Sequence, residues 1–318
     1  MSGRPVSILA VWLLRVGIRA VRMLPYRAGC TLAQAGGFAC FFVARKQRRL
    51  ALANLRLAYG DEKSFSEMNR IAMRSFMNMG LNVVDFCQAR WLAGRDLHRF
   101  VQVEGLEHVE GALSEGKGVI LLTAHLGSWE LMAAAGAAVG IPLTAIVSST
   151  GDPLIDQFMK TTRELCGYEV LPKRKIRYGV ISRLKRNAAV GILADQSPRR
   201  DGILVDFFGQ QAGATRGPAV FALRSGASVI PGFGIRLGDC TKHKLVFEKP
   251  LDLVHTGDME TDILRNTELF QQVIERYVRR YPDQWLWMQK RWKIRSALKR
   301  KLEEADEQEP ATPRRNPE

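Results

Sequence analysis

The chain has 318 residues, 46% of them hydrophobic and 25% charged. That balance excludes a mostly disordered chain, a collagen-like repeat and a polytopic transporter, and it supplies enough apolar material for a sizeable core. The five cysteines (Cys30, Cys40, Cys87, Cys166, Cys240) are scattered with no C-x-x-C pair, which points to a reducing compartment and away from a disulfide framework or zinc knuckle. Net charge is +15, and residues 303–318 carry six acids against two bases, leaving +19 on residues 1–302. So basic a body expects a polyanionic surface: nucleic acid, anionic lipid headgroups or an acidic protein.

The first uncharged run, Pro5 to Leu14, gives way to Arg15, Arg19 and Arg22 at helical spacing; the second, Ala28 to Ala44, holds Gln34 and the pair Gly36-Gly37. Neither reaches the ~20 predominantly apolar residues of a membrane span. No small-x-small site follows the first run, so a cleaved signal is not expected either. Val11, Trp12, Leu14, Val16, Ile18 and Val21 among arginines favour a helix lying in a membrane interface over one packed on the core.

From Lys46 to Trp91 the apolar spacing is helical, with a break at Gly60-Asp61. Beyond it, short apolar runs alternate with amphipathic segments. Strands are expected at Val119–Leu122, Leu143–Val147, Ala189–Leu193, Val229–Ile235 and Lys244–Glu248. Helices are expected at Trp129–Val139, Pro153–Leu165, Ile176–Lys185, Pro218–Arg224 and Glu260–Tyr281. The alternation predicts an α/β fold with a mainly parallel central sheet flanked by helices, behind a helical, membrane-associated N-terminal region. Three units follow: residues 1–44 as the membrane-anchoring region, 45–302 as the α/β domain, and 303–318 as a disordered acidic tail.

In such a sheet, functional groups lie just past the carboxyl ends of strands. Val119–Leu122 delivers His125 there, followed by Leu126-Gly127-Ser128-Trp129-Glu130. With the His on the strand–helix turn, Gly127 permitting that turn and Ser128 as N-cap, Glu130 on the first helical turn would reach one imidazole nitrogen. The other nitrogen would be left to take a proton from an alcohol. On spacing alone, a structural histidine is an equal reading. Asp195 and Gln196 follow another strand, with Asp195 suited to orient a substrate or a basic residue, or equally to cap a turn. Arg163, Arg174, Lys175, Arg177, Arg199 and Arg200 flank these strand ends; singly they read as solvated charges, together as an anionic groove. Near the C-terminus, three tryptophans among three bases between Tyr281 and Lys293 suit either a membrane interface or a core-packed helix. No G-x-S-x-G, G-x4-G-K-[ST], H-E-x-x-H or G-x-G-x-x-G motif is present at a fitting place, and the remaining histidines lack metal-ligand spacing, so no metal or cofactor is expected.

Several ordered blocks resemble the late acyltransferases of lipid A biosynthesis, within the lysophospholipid acyltransferase-like superfamily. These blocks are Arg48-Arg49 with Asn54-Leu55-Arg56-Leu57; His125 through Glu130; Ala194-Asp195-Gln196; Phe207-Phe208-Gly209; Gly217-Pro218-Ala219; and Trp285 through Arg291-Trp292-Lys293. The resemblance covers roughly Arg45 to Lys293. It implies that His125 is the general base and Glu130 its orienting partner, with acyl carrier protein as donor and a hydroxyl of a lipid A precursor as acceptor. It also implies action at the cytoplasmic face of the bacterial inner membrane, on anionic lipids, through an N-terminal anchor. Arg163 and Asp195 match an arginine and an aspartate of the family, and Arg163, Asp195, Gln196 and Arg216 are expected on substrate. The chain departs from the family at Leu126 and Ser128, where members often carry Phe and Asn, and at Arg216, where many carry Thr. An acidic carrier and a phosphorylated acceptor both suit the +19 body.

Two other readings compete. One is the same fold acting on another glycolipid, such as a phosphatidylinositol mannoside, or using acyl-coenzyme A. The other is a non-catalytic basic protein binding membrane or nucleic acid, though no zinc-finger, RNP or recognition-helix signature supports nucleic acid as a partner.

Overall fold

The structure, a computed structural model, describes residues 5–94, 97–198 and 202–292; the expected acidic tail, Arg199 and Arg200 lie outside them. Four helices come first: α1 (Pro5–Met23), α2 (Tyr26–Val43), α3 (Arg45–Tyr59) and α4 (Phe65–Gly94). A single turn, α5 (Leu97–Phe100), leads to β1 (Val101–Glu104) and α6 (Leu106–Ser114). The alternating segment then runs β2 (Val119–Thr123), α7 (Trp129–Ala138), β3 (Leu143–Val147), α8 (Pro153–Glu164), β4 (Glu169–Pro172), α9 (Ile176–Leu184) and β5 (Ala189–Leu193). The hairpin β6 (Gly202–Phe207) and β7 (Gln210–Thr215) follows, then α10 (Gly217–Ser225), β8 (Ser228–Arg236), β9 (His243–Phe247) and α11 (Met259–Arg280).

Among the described residues, seven strands form one sheet in the order β1-β9-β8-β2-β5-β3-β4, parallel except where β8 meets β9. This is the mainly parallel sheet expected from the sequence. β2 lies at its centre because every one of its five side chains is buried, as a strand covered on both faces requires. Its two-residue period divides the core: Ile120 and Leu122 join the cluster containing Val190, Phe233, Ile274 and Trp285, and Val119 and Leu121 join the one containing Leu131, Val170 and Ile230.

The expected helices and strands after Val119 all form, with ends within a residue or two of the sequence reading. β1, α6, β4 and the β6–β7 hairpin were not foreseen. The Phe207-Phe208-Gly209 block is the turn of that hairpin: Phe208 takes φ 60°, its N–H donates to Glu275, and Arg279 lies 4.3 Å over its ring.

α2 packs directly on α4. A Cβ on Gly37 would stand 2.6 Å from the backbone at Phe76 and Met77, so only glycine allows this crossing. Ile8, Leu9, Trp12 and Leu13 on α1, and Leu32, Phe38, Phe42 and Val43 on α2, stay exposed. No helix among the described residues is long and apolar enough to cross a membrane.

Past α11 the chain turns at Pro282–Gln284 and runs as an irregular strap over residues 285–292. A buried segment without ladder bonds must find partners for its backbone elsewhere. Here Asn54 donates to the carbonyls of Trp287 and Gln289, Ser75 to that of Trp285 and Asn78 to that of Gln284. Trp285 and Trp287 are fully buried. Of the two readings of this tryptophan-rich segment, the core-packed one holds for this pair, although as an irregular strap rather than a helix.

Candidate active site

β2 and β5 are neighbours, in register with Thr123 opposite Leu193. The residue two places beyond each strand therefore projects at the same level past the sheet, and these residues are His125 and Asp195. The pairing is continued by Ala194 N–H donating to Thr123 C=O at 2.9 Å. The His125 Nδ1 lies 2.8 Å from Asp195 Oδ1, and the His125 backbone N–H donates to Oδ2 at 3.0 Å. Trp285 Nε1–H and Gln289 Nε2–H, both from the strap, also donate to Oδ2, at 2.9 and 3.1 Å. Burial alone would raise the carboxyl's pKa. The facing imidazole and these donors outweigh it and hold Asp195 well below the ordinary carboxylate range. An ionised carboxylate only accepts, so Nδ1 carries the proton that faces it.

The imidazole is the more open half of the pair: the His125 side chain is 20% exposed and the Asp195 side chain 0%. The Nε2 atom faces Gln196, whose amide nitrogen is 3.5 Å away, and the Trp129 ring meets the imidazole edge-on at 5.3 Å.

The loop between β2 and α7 owes its path to Gly127, at φ 60°, where a Cβ would come 1.9 Å from Gly234 O. Gly127 N–H donates to Gln284 O, Ser128 N–H to Gly234 O and Leu286 N–H to His125 O. β8 and the strap thus grip the loop together.

The expectation that Glu130 would meet the imidazole is corrected. As the second residue of α7, Glu130 receives the Arg163 guanidinium of α8 in a two-point pair (Nη2 to Oε1 2.7 Å, Nε to Oε2 3.1 Å), with Tyr168 Oη 3.4 Å from Oε2. Both side chains are 16% exposed, so Arg163 is a bracing ion pair between helices rather than a free cation of a groove. Burial opposes the Arg163 charge, but Glu130 more than compensates and raises its pKa. Asp195 wins the imidazole because the strand register brings it to the level of His125.

Arg216 stands at the N-terminus of α10, its Nη2 within 2.8 Å of both oxygens of the exposed Glu260. Arg174 and Lys175 are exposed. Ser128 holds the N-cap position of α7 as expected, but its hydroxyl donates to Asp85 instead of to the helix.

That contact opens onto a second buried network that sequence reasoning missed. Asp85 of α4 pairs with Arg236 of β8 at 2.7 Å and accepts from Tyr26 Oη at 2.6 Å. Arg236 also donates to Asn78, Asn82 and the Cys240 carbonyl, and its Nη1 lies 2.8 Å from His243 Nε2. Burial opposes the Asp85 charge, yet Arg236 and His243 hold its carboxyl far below the ordinary range. The sequence offered one signal: Asn78, Asn82 and Asp85 recur at helical spacing along α4.

No group of three or more potential metal ligands occurs among the described residues. The arrangement is a partly open imidazole held by a buried carboxylate, the pairing of groups that proton transfer from a hydroxyl requires.

The sequence model of a family described as "Bacterial lipid A biosynthesis acyltransferase" matches residues 3–294. The chain is 27% identical over 293 residues to a lipid A biosynthesis lauroyltransferase of Escherichia coli K12, covering 89% of this chain and 92% of that protein. A lipid A biosynthesis palmitoleoyltransferase of the same organism is 25% identical over 277 residues, 86% of this chain and 87% of that one. A phosphatidylinositol mannoside acyltransferase of Mycobacterium tuberculosis H37Rv is 31% identical, but over only 133 residues, 41% of this chain and 42% of that protein.

Proposed function

The chain belongs to the bacterial lipid A biosynthesis acyltransferase family, and from that premise we propose that it moves a fatty acyl chain from acyl carrier protein to a hydroxyl of a lipid A precursor, with His125 as general base. The observation that carries this reading is the His125–Asp195 pair past the adjoining ends of β2 and β5, with Nε2 on the side of the ring away from the carboxylate.

In the reaction, Nε2 takes the proton of the acceptor hydroxyl as its oxygen attacks the thioester carbonyl. The tetrahedral adduct collapses by breaking the C–S bond, and the thiolate recovers the proton from the imidazolium. Ester and thiol are the products, and no acyl-enzyme forms. Asp195 stabilises the imidazolium through Nδ1–H and fixes the ring's orientation. Glu130 and Arg163 act one layer out, bracing the start of α7 against α8. Gln196, beside Nε2, is placed to touch the acceptor. Arg216, paired with an exposed carboxylate, offers a guanidinium to an acceptor phosphate.

The exposed apolar residues of α1 and α2, among Arg15, Arg19, Arg45 and Lys46, support seating on the anionic lipids of the inner membrane at its cytoplasmic face. The partial likeness to the mycobacterial protein favours one alternative acceptor, a phosphatidylinositol mannoside.

The test incubates detergent-solubilised protein with labelled acyl carrier protein thioester or acyl-coenzyme A and each glycolipid in turn. Wild type should acylate the lipid A precursor from the carrier-bound donor. His125→Ala should lose about 10²- to 10⁴-fold of that rate with its thermal midpoint kept. An undiminished rate in His125→Ala would remove the base.

A further inference from the structure

The tryptophan-rich block near the C-terminus is absorbed only in part by core packing, because two of its side chains end on the Asp195 carboxylate. The two oxygens of Asp195 are loaded unequally. Oδ1 faces the His125 ring, and Oδ2 accepts from the His125 N–H, Trp285 Nε1–H and Gln289 Nε2–H. A carboxylate with only a backbone donor on its far oxygen would be free to rock about χ2 and swing away from the ring. Two rigidly mounted donors on Oδ2 prevent that.

We infer that Trp285 and Gln289 of the strap are positioning residues, which saturate Oδ2 of Asp195 so that Oδ1 stays on the His125 imidazole. The inference rests on the reading of His125 as the base.

Each donor is itself held. The Trp285 carbonyl accepts from Ser75 Oγ, and the Gln289 carbonyl from Asn54 Nδ2. The Leu286 N–H donates to the His125 carbonyl, so the strap fixes the loop and the carboxylate as one unit. The orientation of the Gln289 amide follows from chemistry: an ionised carboxylate repels an amide oxygen, so Nε2 must face it. The Oε1 atom is then buried with no partner among the described residues. The Gln289 amide thus meets Asp195 through its N–H alone.

Beneath it, Gln271 donates to the Ala194 carbonyl and accepts from Arg291, whose buried guanidinium also donates to Gly213 O and lies 4.3 Å over the Phe207 ring. Among the described residues, the titratable groups bearing on Asp195 are His125, in contact, and Arg291, behind it. The imidazole's other neighbours, Gln196 and Trp129, are neutral, and Glu130 and Arg163 neutralise each other.

Gln289→Met removes the donor at nearly constant volume and is the decisive variant; Trp285→Phe removes the other donor from a fully buried position. Both are compared with wild type, His125→Ala and Asp195→Asn for acyl transfer across pH and for thermal midpoint. Gln289→Met should keep the wild-type midpoint and the KM for both substrates while kcat falls about ten- to a hundredfold. Its acid limb in kcat/KM should move to higher pH, because a carboxylate with one donor fewer holds the imidazolium more tightly. Wild-type kcat and pH profile in Gln289→Met overturn the inference, as does a loss uniform in pH that tracks a lowered midpoint. If His125→Ala and Asp195→Asn are inactive while Gln289→Met is normal, only the positioning role falls; if those two are active, the underlying reading falls with it.

Discussion

Two buried aspartates hold the loop after β2 from its two ends, and they differ in what balances their charge. Asp195 binds His125 at the start of the loop and Asp85 binds the Ser128 hydroxyl at its end. Asp85 faces Arg236, a guanidinium that is charged at any pH the protein meets, inside a shell of Tyr26, Asn78, Asn82 and His243. Asp195 faces an imidazole, with neutral donors on its other oxygen, while the buried Arg291 guanidinium bonds to Gly213 O and Gln271 instead. A permanent counter-ion makes a rigid joint. A counter-ion that can gain and lose a proton is what a site of proton transfer requires, and on the proposed reading the neutral donors keep the acid in place.

If that difference is real, the two aspartates should fail in different ways. The largest effect is expected on activity from Asp195→Asn: acyl transfer should fall about a thousandfold while the urea midpoint changes little, because an amide still fills the space. A folded Asp195→Asn with full activity would erase the distinction. Next in size is Arg236→Met, which leaves the Asp85 carboxylate buried without its cation and should lower stability by about 3–5 kcal/mol, read from urea unfolding. Adding Asp85→Asn to that variant should recover part of the loss; failure to recover any would mean that the charge was not the cause. The smallest effect is expected at the rim. Arg216→Ala breaks a pair with an exposed carboxylate and should cost at most about 0.5 kcal/mol. If its guanidinium serves the acceptor, KM for that substrate should rise several-fold with kcat unchanged, whereas an unchanged KM would leave Arg216 without a part in binding.

The same contrast explains what could be read in the sequence. β2 and β5 were legible because their apolar runs, Val119–Leu122 and Ala189–Leu193, are those of strands covered on both faces. His125 was legible because it follows such a run. Its partner was not: Glu130 is close in sequence, Asp195 is 70 residues away, and only the register of two strands decides between them. Arg236 and Asp85 lie 151 residues apart, and only the packing of α4 against β8 brings them together. β1, with sequence Val-Gln-Val-Glu, and β4 are four residues each, too short to show a period. The tryptophans near the C-terminus fit two environments equally by composition, and the side chains that receive the strap's backbone, Asn54, Ser75 and Asn78, lie more than 200 residues earlier.

The strap also sets an order of events. During synthesis the N-terminal parts of a chain emerge and fold first. All the sheet strands, α7 with its loop and both ion pairs that brace them are made before residue 285 leaves the ribosome. Two of the four donors to Asp195 are made after it. A nascent chain can therefore own a complete sheet and both members of the His125–Asp195 pair and still lack the clamp that aligns them. The strap, translated after the sheet and α7, completes the set of donors on Asp195.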